Sequence, residues 1–593
     1  MPILAATDWL ILLIYIFFIL MAGFSLRPAI TGSSEYQQAG RKLPGWLCGV
    51  AFAAAGLGIQ APISLGAMGA RYGLTGVPLA IVGGVVAMLF CAIYLVPVYH
   101  ASKARTLPEY LGMRFDRKTR LLTALLFLIA ATAGAAFSLY AAARLFTALH
   151  LFDIPMHSAG LDARGTFVLT MAIPAVLVLA YVLLGGLGSS IYTQAMQIFL
   201  FAAGFLPAIL LGVKQLGWSG VKAAAASAGT IAGDWHGASP SGFGTFVVAV
   251  GLGLVIGIVF WCADFRVLQP AMAARDAVSA QRAVLGAAAA WVIVPLLVIV
   301  PGVIALGEPT PQTTISVRNE NGAIYHEITV VPAEVAAGQG LAPAVMDPST
   351  GKPVLGADGR KQLDSPLAGP HVLVHFLPAG LLGLGIVALL ACLMSGISAS
   401  VTAFSAVFTC DLYATFFEKN ASDKRLLLVG RLAAAGVLLV AFYLACGTYV
   451  WHWKLEEIAL GLLEINAPLL GAILLGVFWK RTTGNGAFAG IAAGFAAALA
   501  LFAGAQSGWI GVLHMGNKFV VEFWTVVAGL AVSLAVTAAV STLTAARPAE
   551  ELAGLVFASA GKKPSKKAKW WKQPKAVAVA ILMAAIAVSV LAH

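Results

Sequence analysis

The chain has 593 residues, 60% of them hydrophobic and 10% charged, at a mean hydropathy of +0.91. Soluble domains carry about 25% charged residues, so a soluble enzyme or soluble binding module is excluded and a polytopic membrane protein is implied. The formal charge of +12 reports topology, because the basic residues sort to alternate connections; no nucleic-acid partner is indicated.

The first apolar run, residues 8–26, has Asp8 before it and Arg27 after it. A signal peptide carries its positive charge in front and a small-residue cleavage site behind, so this run is read as a retained helix. Runs long enough to span a hydrocarbon core follow at about 44–69, 74–99, 119–150, 165–185, 189–213, 242–265, 278–306, 379–413, 424–448, 455–479, 484–504, 521–541 and 574–592, which makes fourteen candidate spans. An even count puts both termini on one side. Connections such as 100–118, 415–425 and 546–573 alternate with connections nearly free of Lys and Arg, and about 26 of the 37 basic residues fall in the first set. The positive-inside rule places that set in the cytoplasm and both termini outside a plasma membrane, of the bacterial inner-membrane kind. The Lys-rich stretch 562–575 also suits anionic lipid headgroups. Cys48, Cys91, Cys262, Cys392, Cys410 and Cys446 all lie inside apolar segments, so no disulfide framework or Cys-rich metal site is implied.

AFAAAGLGIQAPISLGAMG (51–69) places Gly56, Gly58 and Pro62 near mid-membrane, which predicts a broken helix. Five spans later, GLGLVIGIVFWCADFRVLQP (251–270) repeats the trait with Gly251, Gly253, Gly257 and Pro270. Unwound backbone at that depth must line a cavity or a bound ion, because lipid cannot satisfy it. Breaks at matching places in two five-helix halves point to an inverted-repeat transporter with its site at the breaks. The competing explanation is that these glycines only let helices pack closely.

The external connection 307–370 contains TTISVRNENGAIYHEITVV, two strands around an Asn-Glu-Asn-Gly turn, then the DPSTGK and GADGRK turns. These features predict a small β-decorated cap over the outer face. In LLACLMSGISASVTAFSAVFTCDLYA (389–414), Ser395, Ser398, Thr402, Ser405 and Thr409 step by 3, 4, 3 and 4, one stripe on a helix. Isolated hydroxyls in membrane helices bond back to carbonyls or glue helices together. Five in a stripe beside two broken helices predict a polar seam whose oxygens suit a small hard cation.

TLPEYLGMRFD (106–116), GGLGSSIYTQAMQ (185–197), FWCADFRVLQPAMAARD (260–276), SGISASVTAFSAVFTCDLYA (395–414) and GVFWKRTTGNGAFAG (476–490) resemble, in order and register, the signature segments of the sodium:solute symporter family. The sodium–glucose cotransporter branch is the nearest match. The resemblance implies an all-α, leucine-transporter-like core of 5+5 helices, spans two to eleven, working by alternating access. Residues 1–43 would then be an extra helix and cytoplasmic loop, 44–213 the first inverted repeat and 214–241 an external loop. Residues 242–480 would be the second repeat, carrying the 307–370 loop, and 481–593 peripheral helices with the basic cytoplasmic loop 546–573.

The resemblance further implies sodium as coupling ion, held by the carbonyls of Ala54, Leu57 and Cys392 and the hydroxyl of Ser395. Where the family carries a second hydroxyl this chain has Gly396, and Ser398 is the nearest group to compensate. Gln194 stands in IYTQ where many members carry an acid; with Ser398 it marks a second candidate cation site. The family's sugar-holding positions fall on Gly56, Ala61, Ile81, Val292 or Trp291, and Ala459, so almost all the usual polar groups are gone.

What stays polar or aromatic in the middle is Gln60, Trp261, Asp264, Glu464 and Asn466. An intramembrane carboxylate is costly and points to function, which ranks Glu464 first, as substrate contact, cation partner or proton carrier. An ion pair with Arg144 is its alternative. Asp264 and Arg266 lie near the inner end of their span, where a cytoplasmic salt bridge competes with a binding role. Trp261 either stacks on a sugar or fills core.

The function expected is sodium-coupled symport of a small polar organic solute, a glucose- or galactose-like sugar first. The alternative is a facilitative or proton-coupled carrier of a carboxylate or amino-acid-like solute, or a channel or sensor on the same fold. The partners expected are the solute, Na+ and the bilayer, with a homo-oligomer left open. No enzyme is expected: HEITV (326–330) lacks a second His, and GLGLVIG lies inside a span, not between strand and helix.

Overall fold

A computed structural model of the chain describes residues 4–60, 65–149, 162–228, 245–310, 314–318, 324–329, 333–347, 350–355, 361–450, 455–506, 518–560 and 573–591. Helix α1 (Ala6–Leu26) precedes α2 (Gly45–Gln60) and α3 (Gly66–Tyr72). A helical stretch from Gly76 to Ala101 follows, with π-helical turns at Val82–Val86 and Cys91–Leu95. Next come α4 (Leu107–Arg114), α5 (Arg117–Ala148), α6 (Ala163–Ser227), α7 (Thr245–Ala263), α8 (Phe265–Met272), α9 (Ala277–Ala290) and α10 (Val294–Gly307). Strands β1 (Thr314–Arg318) and β2 (Ile324–Thr329) lead to α11 (Ser365–Phe376) and α12 (Leu381–Val407), which continues as a π-helix over Phe408–Phe417. The chain closes with α13 (Asp423–Val450), α14 (Leu455–Phe478), α15 (Gly484–Gln506), α16 (Lys518–Leu543) and α17 (Pro574–Leu591).

Among the described residues nine helices are long and apolar enough to cross a membrane, or ten with the bent pair α7–α8. That establishes a multi-pass protein; fourteen crossings remain an expectation. The two spans expected at 165–185 and 189–213 are joined without a loop inside α6, at Gly186 (φ +54°, ψ −142°). Only glycine adopts that backbone readily, and a Cβ there would overlap the Tyr36 carbonyl.

Short polar residues set the helix starts. Thr106 Oγ1 accepts from Glu109 N at 3.1 Å, Asp116 Oδ1 from Thr119 N at 2.8 Å and Asp276 Oδ1 from Ser279 N at 2.8 Å. Each satisfies an amide that a first helical turn leaves without a partner. Asp8 does the same for another helix: its Oδ1 accepts from Gly380 N at 2.7 Å and Gly383 N at 2.6 Å. A carboxylate on peripheral α1 thus caps the start of α12, where the helix dipole favours negative charge.

Helix α12 is the centre of the bundle, packed against α1, α2, α5, α6 and α13. The connection after α10 forms the expected hairpin, with Thr314 opposite Thr329 and Val317 opposite His326. The turn between the strands lies outside the described residues. Leu341 N donates to Ala305 O at 2.8 Å, which seats the cap on the end of α10.

Candidate functional site

The second broken span bends at Asp264, a correction to the glycine-based expectation. Helix α7 runs through Gly251, Gly253 and Gly257 without interruption, and α8 leaves it at 53°. The Asp264 backbone is extended (φ −83°, ψ 109°), and its carboxylate caps α8 by accepting from Arg266 N at 2.9 Å. Gly253 and Gly257 serve packing. A Cβ on Gly253 would stand 2.8 Å from Leu79 O, and one on Gly257 would overlap the Gly83 carbonyl. In the span first expected to break, α2 is described to Gln60 and α3 from Gly66, and residues 61–64 between them lie outside the described residues. Ala61, Pro62 and the Gln60 side chain lie outside the described residues.

The hydroxyl stripe faces protein. Ser395, Ser398, Thr402, Ser405 and Thr409 are each at most 5% exposed. Ser395 Oγ donates to Ala54 O at 2.9 Å, and Cys392 Sγ lies 3.8 Å from Leu57 O, so the residues expected at one cation site do meet. Gly58 and Gly396 make that meeting close: a Cβ on Gly396 would stand 2.6 Å from Gly58 O and 3.0 Å from Ser138 Oγ. Ser398 faces α6. Its Oγ donates to Ser395 O at 3.1 Å and accepts from Ser190 Oγ at 3.1 Å and Gln194 Nε2 at 3.3 Å. Further along, Thr402 Oγ1 donates to Gln269 Oε1 at 3.1 Å, and Ser405 Oγ donates to Gly430 O at 2.7 Å.

Aromatic rings fill the volume beside the bend at Asp264. Trp261 stacks on Phe52 with centroids 5.4 Å apart and meets Trp291 edge-on at 4.8 Å. Two glycines make room for the two indoles. A Cβ on Gly56 would overlap the Trp261 ring, and one on Gly84 would overlap Trp291. Both indoles are 2% exposed. Gly56→Ala should therefore cost about 1–3 kcal/mol through overpacking, read as a lower unfolding temperature. Adding Trp261→Phe should recover part of the loss; simple additivity would show that the two residues do not share this space.

Asp264 and Arg266 are buried, 1% and 4% exposed, so the salt bridge weighed against a binding role does form, and it is an internal one. Arg266 Nη2 lies 2.5 Å from Asp264 Oδ2, which also accepts from Asn466 Nδ2 at 3.4 Å. Asn466 is 1% exposed and its Oδ1 has no partner among the described residues. The backbones of Ala459 and Glu464 lie in α14, but their side chains are outside the described residues. Arg144 Nη2 donates to Asp364 Oδ2 at 2.8 Å.

One cluster was not anticipated from sequence. Asp411, fully buried in the π-helical end of α12, accepts from Arg120 Nε at 2.7 Å and Thr106 Oγ1 at 2.5 Å. Glu109 joins it through Arg120 at 3.4 Å and Arg105 at 3.0 Å. Burial opposes ionisation of Glu109, yet hydrogen bonding and charge from Arg105, with Arg120 behind it, hold its carboxyl below the ordinary range. The charges sit in RTLPEYLGMRFDRKTR and TCDLYA, and only the loop's basic count was informative in sequence. No group of three or more His, Cys, Asp or Glu placed to hold a metal occurs among the described residues.

The model of the sodium:solute symporter family matches residues 36–346 and 349–494. A sodium/glucose cotransporter of Vibrio parahaemolyticus is 26% identical over 521 residues, covering 84% of this chain and 85% of its own. The human sodium/myo-inositol cotransporter 2 is 25% identical over 520 residues, covering 82% of this chain and 68% of its own. The substrate-bound outward-open structure of a Na+-coupled sialic acid symporter superposes with a TM-score of 0.69 at 20% identity, over 91% of this chain and 99% of that one. The fold is leucine-transporter-like.

Proposed function

We infer that this chain, which belongs to the sodium:solute symporter family, performs sodium-coupled symport of a small polar organic solute by alternating access. The observation that supports this reading best is the contact of Ser395 Oγ with Ala54 O at 2.9 Å, beside Cys392 and Leu57. We assign the principal sodium site to the carbonyls of Ala54, Leu57 and Cys392 and the Ser395 hydroxyl. On sodium binding the hydroxyl turns its proton away, and its lone pair and the Ala54 carbonyl both face the cation. The ion then ties α2 to α12, which is how occupancy biases one conformation over another.

Gly396 supplies no oxygen, and Ser398 is engaged by Ser395, Ser190 and Gln194. The ion therefore rests on few protein ligands, and Ser395→Ala should raise the sodium needed for half-maximal uptake about tenfold, the equivalent of about 1.4 kcal/mol. An unchanged sodium dependence removes the assignment. At the second group Gln194 and Ser398 lack a carboxylate, which favours a hydrogen-bonded node over a second ion.

The relatives named for glucose and myo-inositol make a sugar-like, polyhydroxylated solute the first class to test. We place that solute by Gly56, Trp261, Asp264 and Asn466, with Gln60, Ala61, Ala459 and Glu464 as further contacts. Glu464→Gln should shift solute or sodium affinity several-fold, whereas wild-type kinetics would mark the residue as structural. Residues 44–213 and 242–480 are proposed as the inverted repeats, in a plasma membrane with both termini outside. A facilitative carrier is the second reading, favoured by the missing oxygen at Gly396.

A further inference from the structure

The Asp264–Arg266 pair has chemistry left over. An arginine side chain offers five N–H donors along two forked edges. Asp264 occupies one edge: Arg266 Nε lies 3.0 Å from Oδ1 and 3.1 Å from Oδ2, and Nη2 lies 2.5 Å from Oδ2. The other edge is led by Nη1, whose one hydrogen bond among the described residues is to Ala130 O at 3.4 Å. That is at the long limit for such a bond. Asp264 thus holds the guanidinium by one edge and leaves the end-on fork with only this long bond among the described residues.

Two buried polar atoms without partners among the described residues belong to side chains around this pair. Among the described residues, Ser400 Oγ, on a fully buried residue, has no hydrogen-bond partner, and Asn466 Oδ1, on a side chain that reaches Asp264, has none either. Gly134 marks the spot on α5, where a Cβ would overlap Arg266 Nη1 and stand 3.2 Å from Ser400 Oγ. Buried polar atoms normally find partners. Here Ser400 Oγ, beside Arg266 Nη1, and Asn466 Oδ1, on the Asp264 side, stay without partners among the described residues, and Nη1 has only its long bond.

We propose that Arg266 is the residue that reads the solute's charge: its open edge and Ser400 take a carboxylate, and Asn466 Oδ1 accepts from a solute hydroxyl. The solute is then a small hydroxylated organic acid. This rests on the transporter reading above and adds the substrate class. Electrostatics agrees. The Asp264–Arg266 pair is neutral, so a bound carboxylate leaves one negative charge in a low-dielectric interior, which a sodium ion offsets. The sites are adjacent: Ser138, which would crowd a Cβ on Gly396, donates to Gly134 O at 2.9 Å, one turn along α5.

The test uses matched probes, D-glucuronate against D-glucose and L-lactate against 1,2-propanediol, in thermal-shift titrations of purified full-length protein in sodium and in potassium. At least one acid should stabilise the wild type in sodium while its neutral partner does not. Arg266→Lys keeps the charge for Asp264 but loses the fork, and should weaken acid binding about tenfold. Ser400→Ala should weaken it about threefold with the ligand-free unfolding temperature unchanged. Neutral probes binding as tightly as their acids, neither acid binding the folded wild type, or full acid affinity in Arg266→Lys would each overturn the assignment. Acid binding through Arg266 that is equal in sodium and potassium would uphold the substrate class and remove sodium coupling. Sodium-driven uptake of D-glucose without competition by D-glucuronate would do the reverse.

Discussion

Gly396→Ser is expected to abolish transport and lower thermal stability, although it restores the hydroxyl that the family carries at this position. A Cβ there would stand 2.6 Å from Gly58 O and 2.9 Å from Gly58 C, atoms of the α2 backbone that cannot swing aside as a side chain can. The reciprocal change is no easier, because a Cβ on Gly58 would stand 2.6 Å from Cys392 O and 2.9 Å from Ser395 Cβ. Overpacking of this kind costs about 1–3 kcal/mol in well-packed cores. Here it also forces apart the two helices proposed to hold the ion. Uptake assays and thermal unfolding read both effects; a folded variant with tighter sodium dependence would show that α2 can give way.

The second large effect is expected from Arg120→Ala. Asp411 is fully buried, and Arg120 is the base that contacts it directly, at 2.7 Å. Removing one partner of a buried pair leaves an uncompensated charge and costs about 3–5 kcal/mol. Thr106 would still donate to Asp411 at 2.5 Å, but a neutral hydroxyl does not balance the charge. The double variant Arg120→Ala with Asp411→Ala should recover most of the loss, since it removes the stranded charge as well. Equal instability of single and double variants would show that Arg120 acts through its contact with the Cys410 carbonyl at 3.1 Å.

The α-helical membrane architecture and the meeting of α2 with α12 were legible in sequence, for physical reasons. Span-length apolar runs have few alternatives, and a hydroxyl stripe at helical period has to face something polar. The second break was legible as existing but not where it falls. Gly251, Gly253 and Gly257 carry two meanings in sequence, unwinding and close approach, and the structure uses Gly253 and Gly257 for approach against the stretch around Gly83. The break needed a capping carboxylate, and Asp264 serves because Arg266 balances its charge. The pairing of Gly84 with Trp291, and of Arg120 with Asp411 across 291 residues, has no local signature, because each depends on helices brought together only by folding.

The central claim is that α2 and α12 together hold a sodium ion, and equilibrium binding of radioactive sodium to purified protein tests it without knowing the solute. Saturable binding that unlabelled sodium displaces and potassium does not, and that Ser395→Ala weakens about tenfold, is the predicted result. Absence of saturable binding in the folded wild type, or identical binding in Ser395→Ala, would contradict it.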